Sequence, residues 1–174
     1  MSGQLSHELE VNVPASEAWE LYGRLGLAKL LVEDGSIVEK IEVIEGDGGI
    51  GTILKKTYTP DMIIDKAIQT DKYRSSHGFS VQREKFTKYD NEKRMKELEV
   101  MEGGYLDLGL TLFRVRFEII EKDNDSCIIK STIEYDIKEE AVANTSNVTT
   151  DLVAKIGEIA KNYLIKNKAT KNAE

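Results

Sequence analysis

Phe113-Arg114-Val115-Arg116-Phe117-Glu118-Ile119 and, beyond the polar turn Lys122-Asp123-Asn124-Asp125, Cys127-Ile128-Ile129-Lys130-Ser131-Thr132-Ile133-Glu134-Tyr135-Asp136-Ile137 carry the pattern that decides the fold. In the first run Phe113, Val115, Phe117 and Ile119 alternate with Arg114, Arg116 and Glu118. In the second, Cys127, Ile129, Ser131, Ile133, Tyr135 and Ile137 alternate with Lys130, Thr132, Glu134 and Asp136. A period of two marks antiparallel strands with one wet face and one buried face. The C-terminal stretch changes period. Leu152, Ile156, Ile159, Ala160, Tyr163 and Leu164 recur at helical spacing, with Lys155, Glu158, Lys161 and Asn162 between them. A long amphipathic helix beside such strands must bury its apolar stripe against the concave face of a curved sheet.

Working outward, Leu5, Leu9, Val11 and Val13 alternate in a first strand over 4–13, ended by Pro14. Pro14 to Tyr22 reads as a short helix with an early acidic residue, Glu17, and a second short helix follows around Leu27 to Leu31. Ile37 to Ile44 and Thr52 to Tyr58 are strands flanking the turn Gly46-Asp47-Gly48-Gly49-Ile50-Gly51. No Gly-Lys-Ser/Thr follows that turn and no helix begins there, so it is a strand-to-strand loop rather than a phosphate cradle. The order is strand, two short helices, six strands and a long helix. The class is α+β, in a single domain over 1–174, and a sheet gripping one helix leaves an internal apolar cavity as the default ligand site.

Composition narrows the partners. Of 174 residues, 40% are hydrophobic and 32% charged, which suits a folded protein, and no apolar run reaches the roughly 20 residues of a membrane span. Twenty-four Lys and Arg against 31 Asp and Glu give a net charge of −7, so neither nucleic acid nor an anionic membrane is expected as a partner. The N-terminus has no basic start and no apolar stretch, and the single cysteine, Cys127, fits a reducing compartment, so the expected address is cytoplasmic. His7, His77 and one cysteine make no metal-ligand spacing. Cys127 reads as a buried strand residue and Trp19 as a packing residue.

The inward faces of the middle strands hold the candidate chemistry. After residue 78, Gln82, Glu84 and Phe86 share one face; on the next strand Lys96, Leu98 and Val100 share one. If Phe86, Leu98 and Val100 face the core, Glu84 and Lys96 do too. A three-residue loop centred on Asn91 would set Phe86 opposite Lys96, with Glu84 diagonal to Lys96 at roughly 7–8 Å between backbones. Two readings of an inward Glu and Lys remain open. They are an acid–base pair with pKa values shifted by burial and mutual attraction, or a structural ion pair.

Several segments carry a resemblance: His7-Glu8-Leu9-Glu10-Val11, Gly46-Asp47-Gly48-Gly49-Ile50-Gly51-Thr52, Asp90-Asn91-Glu92, Glu102-Gly103-Gly104-Tyr105-Leu106-Asp107-Leu108-Gly109, and Asp125 to Tyr135. From about residue 5 to about residue 167 the chain resembles the norcoclaurine synthase and norbelladine synthase branch of the plant pathogenesis-related class 10 proteins, in the birch-pollen-allergen superfamily. The Gly-rich loop marks the superfamily, and Gly103 to Gly109 the branch. The resemblance implies a helix-grip fold, a seven-stranded curved antiparallel sheet around the long C-terminal helix. It also implies a cofactor-free Pictet–Spengler condensation of dopamine with an arylacetaldehyde, in plant alkaloid biosynthesis. It matches a catalytic glutamate to Glu84 and a catalytic lysine to Lys96. The family's tyrosine two residues before the glutamate is Gln82 here, and its aspartate falls on Val115.

The expected site therefore has Lys96 and Glu84 as catalytic residues, no metal and no cofactor. Its substrate-binding wall is Tyr58, Gln82, Phe86, Leu98, Tyr105, Phe113, Val115 and Phe117. Residues 61–78 are longer than the corresponding family loop. Met62, Ile63, Ala67 and Ile68 would form one or two helical turns over the cavity mouth, bringing the Tyr73 hydroxyl in for the lost phenol; a solvated loop is the simpler alternative. The expected ligands are a small aromatic amine and an aldehyde, taken by a monomer or weak homodimer. A competing function is a non-catalytic carrier of apolar plant metabolites or hormones, which the Gln82 and Val115 replacements favour; a third is a related alkaloid-condensing or rearranging enzyme.

Overall fold

The computed structural model describes residues 1–60 and 80–173. The strands are β1 (Ser2–Val11), β2 (Val38–Glu45), β3 (Ile53–Tyr58), β4 (Val81–Asp90), β5 (Met95–Gly103), β6 (Leu110–Asp123) and β7 (Ser126–Ile137). They form one sheet in the order β1-β7-β6-β5-β4-β3-β2, antiparallel throughout. Helices α1 (Ala15–Tyr22) and α2 (Gly26–Asp34) carry the chain from one edge strand to the other. The long helix α3 (Asp151–Ala173) buries Val153, Ile156, Ala160 and Leu164 and packs against β1, α1 and α2. A Cβ at Gly157 would lie only 3.2 Å from Leu9 Cδ2, so the bare glycine lets α3 approach β1 closely.

The order of elements is the one that periodicity predicts, with boundaries moved by a few residues. Helix α2 runs to Asp34 because Gly35, at φ 72°, supplies the left-handed C-cap and returns its N–H to the Leu31 carbonyl at 3.1 Å. Two 3₁₀ segments, Gly104–Leu108 and Glu139–Asn147, stand where turns or no element were expected. The segment 61–78, with the expected lid and Tyr73, lies outside the described residues.

The β4–β5 register corrects the expected one. Phe86 faces Leu98, not Lys96, and Glu84 faces Val100. The loop is four residues long, closed by the Asp90–Met95 pair, with Arg94 at φ 51° and the Asp90 carboxylate accepting from the Lys93 N–H at 2.9 Å. Such a loop alone reverses the parity of the pairing. The bulge between Phe86 and Lys88, which leaves Thr87 as an extra residue on β4, restores it. Glu84, Phe86, Lys96, Leu98 and Val100 are consequently all buried on the concave side, as expected, but Lys96 sits one inward row farther from Glu84.

Helix α1 ties down this hairpin. Trp19 Nε1 donates to Asn91 Oδ1 at 2.8 Å, and its ring lies 5.5 Å from that of Tyr89. Cys127 is buried at the α1 side of β7 with its thiol pushed up to about 11 by burial, as befits a packing residue. Trp19→Phe retains most of the apolar contact and removes the hydrogen bond. We expect a loss of about 1 kcal/mol in urea denaturation. An unchanged midpoint would show that the bond to the exposed Asn91 contributes nothing.

Candidate active site

Period-two geometry builds the site. On the concave face β3 presents Leu54, Lys56 and Tyr58, and β4 presents Gln82, Glu84 and Phe86. Next to them β5 presents Lys96, Leu98 and Val100, and β6 presents Phe113, Val115 and Phe117. Two adjoining chambers lie under α2 and α3. One, of about 40 Å³, is lined by Tyr58, Gln82, Glu84, Leu98, Tyr105, Phe113, Val115 and Phe117, together with Lys56 and the α3 residues Leu152, Val153 and Ile156. The other, of about 30 Å³, is lined by Lys56, Glu84, Phe86, Lys96, Leu98 and Phe117, with Arg24, Leu27, Ala28 and Leu31 closing it. Every expected site residue among those described lines one chamber or both. Stacked Tyr105 and Phe113 rings, 4.2 Å apart, stiffen the far wall.

Glu84 is 1% exposed, and its partner is not Lys96. Lys56 Nζ lies 2.7 Å from Glu84 Oε1. Leu54 faces Glu84 across β3–β4, so Lys56 is the diagonal neighbour, the position expected for Lys96. Lys56 was missed, although its signal is plain: it shares the parity of Leu54 and Tyr58, both buried. Gln82 Nε2 donates to the other oxygen, Glu84 Oε2, at 3.1 Å. The Gln82 carbonyl end packs against Gly104, where a Cβ would fall 2.2 Å from Oε1. Gly104, at φ 53°, is therefore required for space as well as for backbone conformation.

Lys96 is 3% exposed. Its Nζ donates to the Arg24 carbonyl at 3.4 Å and lies 4.7 Å from the Phe86 ring centroid and 5.9 Å from that of Phe117. Burial, reinforced by the neighbouring Lys56 charge and only partly offset by Glu84, lowers its pKa to about 7. The amine form is therefore populated at neutral pH. Tyr58 is hydrogen-bonded with the Gln82 side chain; burial first, then the Glu84 charge, raises its hydroxyl well above the usual phenol range, so it stays protonated. The arrangement offers a proton acceptor, a carboxylate and a phenol around an apolar void. Among the described residues no group of three His, Cys, Asp or Glu is placed to hold a metal ion, and no helix is long and apolar enough to cross a membrane.

A seven-stranded antiparallel sheet gripping a long C-terminal helix around a cavity defines a class, and the sequence agrees with it. The chain belongs to the pathogenesis-related protein Bet v 1 family, whose pattern matches residues 1–167. Within that family it is 42% identical to norbelladine synthase of Narcissus pseudonarcissus over 170 residues, covering 97% of this chain and 96% of that one. It is 36% identical to S-norcoclaurine synthase of Thalictrum flavum subsp. glaucum, over 98% of this chain and 74% of that one. The Thalictrum flavum norcoclaurine synthase solved with dopamine and hydroxybenzaldehyde superposes with a TM-score of 0.78 at 34% identity, covering 95% of this chain and 88% of that one. A point mutant of that enzyme with a transition-state analogue gives 0.80 at 35% identity, with 97% of each chain covered.

The lowered Lys96 pKa has a consequence for stability. Between pH 7 and about 10 the unfolded chain carries a proton on this lysine that the folded chain lacks, so folding gains stability as pH rises through that window. Below pH 7 a buried charge is retained at full cost. Lys96→Met should therefore be more stable than the parent protein at pH 6, with the difference narrowing toward pH 10, in urea titrations at each pH. A pH-independent difference would mean that Lys96 ionises as it does in water.

Proposed function

We propose that the chain catalyses a Pictet–Spengler-type condensation of a dopamine-like arylethylamine with an arylacetaldehyde, in the alkaloid metabolism of a plant cell's cytoplasm. The observation that carries this is that one chamber is lined by both a buried lysine near its neutral form and a buried carboxylate. The likeness to norcoclaurine and norbelladine synthases supports the same reading. All the groups come from one chain, so a monomer suffices.

The steps follow from the chemistry. The amine nitrogen attacks the aldehyde carbon, and the carbinolamine loses water to give an iminium. A carbon of the catechol ring then attacks the iminium carbon, and the ring proton at that carbon leaves to restore aromaticity. Lys96, as an amine, takes the proton of the catechol hydroxyl and drives electron density into the ring. Glu84 relays protons during dehydration and accepts the ring proton at the end. Each proton transfer of this kind contributes about 100- to 10,000-fold. Phe113, Val115, Phe117, Tyr105 and Leu98 hold the aromatic fragments together and supply proximity. The Gln82 amide orients Glu84, and Tyr58 donates toward the substrate oxygens.

Purified protein with dopamine and 4-hydroxyphenylacetaldehyde should give product in enantiomeric excess, read by chiral chromatography. Lys96→Met should reduce the product to racemate while the protein still melts cooperatively. Glu84→Gln should slow turnover about 100-fold while still binding the catechol amine. Racemic product from the parent protein, with both substrates bound, would instead support the carrier function favoured by Gln82 and Val115.

A further inference from the structure

Two lysines reach the concave face, and they are not equivalent. Lys56 lies on β3, its side chain 13% exposed, 2.7 Å from Glu84 and in the wall of both chambers. Lys96 lies on β5, with no carboxylate against it among the described residues and only a 3.4 Å bond to a backbone carbonyl. We propose that Lys56 is a positioning residue of this site: its ion pair holds the Glu84 carboxylate against the sheet and withholds it from Lys96, which keeps only a backbone carbonyl as its hydrogen-bond partner among the described residues. The inference rests on the condensation reading, since it gives Lys56 a part in that chemistry.

Among the described residues, the charges around Lys96 are few enough to follow one by one. β3 contributes Lys56, β4 contributes Glu84, and the turn between α1 and α2 contributes Arg24. The Arg24 guanidinium faces outward, 3.7 Å from Asp47 and 5.8 Å over the Tyr89 ring, so its carbonyl alone meets Lys96. α2, β6 and α3 line the chamber with apolar side chains only. Removing the Lys56 charge then acts on Lys96 twice in one direction. A repelling cation is lost, and Glu84 is released to attract the Lys96 ammonium. Lys96 is predicted to hold its proton in most molecules at neutral pH, and a cation cannot accept the catechol proton.

The test uses the full chain carrying ¹³C-labelled lysine, with the Lys96 signal assigned by its absence in Lys96→Met. The Lys96 titration midpoint should lie near 7 in the parent protein and in Lys56→Arg. It should rise by roughly one unit or more in Lys56→Met and Lys56→Gln. In the condensation assay those two variants should lose about fivefold or more in kcat at pH 7, with little change in KM and recovery at higher pH. That loss is the fall in free amine that a one-unit rise implies. Lys56→Arg should keep the parent profile, as should Lys55→Met on the opposite face of the strand. Lys56→Gln keeps a donor for Glu84 and serves if Lys56→Met does not fold. A Lys96 midpoint unmoved by loss of the Lys56 charge overturns the proposal, as does a kcat loss that higher pH does not recover. Parent protein that titrates as expected yet makes no enantioenriched product sinks the condensation reading instead.

Discussion

A carboxylate inside an apolar sheet is tolerable only with a cation and a hydrogen-bond donor against it, and Glu84 has both in Lys56 and Gln82. The rest of the cavity's chemistry depends on that arrangement. Two inward positions on each of β3 and β4, Lys56 and Tyr58 and then Gln82 and Glu84, are polar or ionic, so this side of the cavity is a polar wall facing the apolar one formed by β6 and α3. With Glu84 neutralised locally, Lys96 is desolvated beside a second cation, the condition that most strongly favours a neutral amine. Burial thus does most to lower the Lys96 pKa, and the charge of Lys56 on another strand adds to it.

The same wall accounts for the loss of the family's tyrosine at position 82. The Gln82 amide cannot offer a phenol, yet it bonds to Glu84 with its nitrogen and is hydrogen-bonded with Tyr58. A phenol therefore remains linked to the carboxylate through one amide, from the neighbouring strand rather than from β4 itself. Gly104 is part of this arrangement, because any side chain there would occupy the space of the Gln82 oxygen. Within the Gly103-Gly104 pair that marks the branch in sequence, Gly104 thus answers to the packing of the site and Gly103 to its φ of 73°.

Much of this was legible in the amino-acid sequence, and the reasons differ by element. Strands β6 and β7 declare themselves because one face is dry, and α3 because its stripe has a helical period. The inward placement of Glu84 and Lys96 follows from parity, but their spacing does not. Parity survives a loop of the unexpected length only because the bulge at Thr87 cancels it, and single-strand patterning carries no trace of such a cancellation. Lys56 escaped notice for a simpler reason. In Leu54-Lys55-Lys56-Thr57-Tyr58 two adjacent lysines look alike, and only the alternation of Leu54 and Tyr58 separates the inward one from the outward one.

Burial of a carboxylate is not by itself a sign of catalysis, and the convex face supplies the contrast. Glu97, next to Lys96 on β5 and 2% exposed, points the other way. Arg116 meets one of its oxygens at 2.9 Å, Arg114 the other at 3.3 Å, and the Thr87 hydroxyl donates at 3.2 Å. Both oxygens are occupied by groups whose guanidinium charge no accessible pH removes, so this carboxylate is taken up by the ion pairs of the sheet. Glu84 differs in each respect. Its cation is a lysine on a flexible stem, its second oxygen is held by an amide, and it borders a void rather than a sheet of arginines. Adjacent residues of one strand thus divide the two uses of buried charge, Glu97 stapling β5 to β6 and Lys96 facing the cavity with a proton it can accept or release.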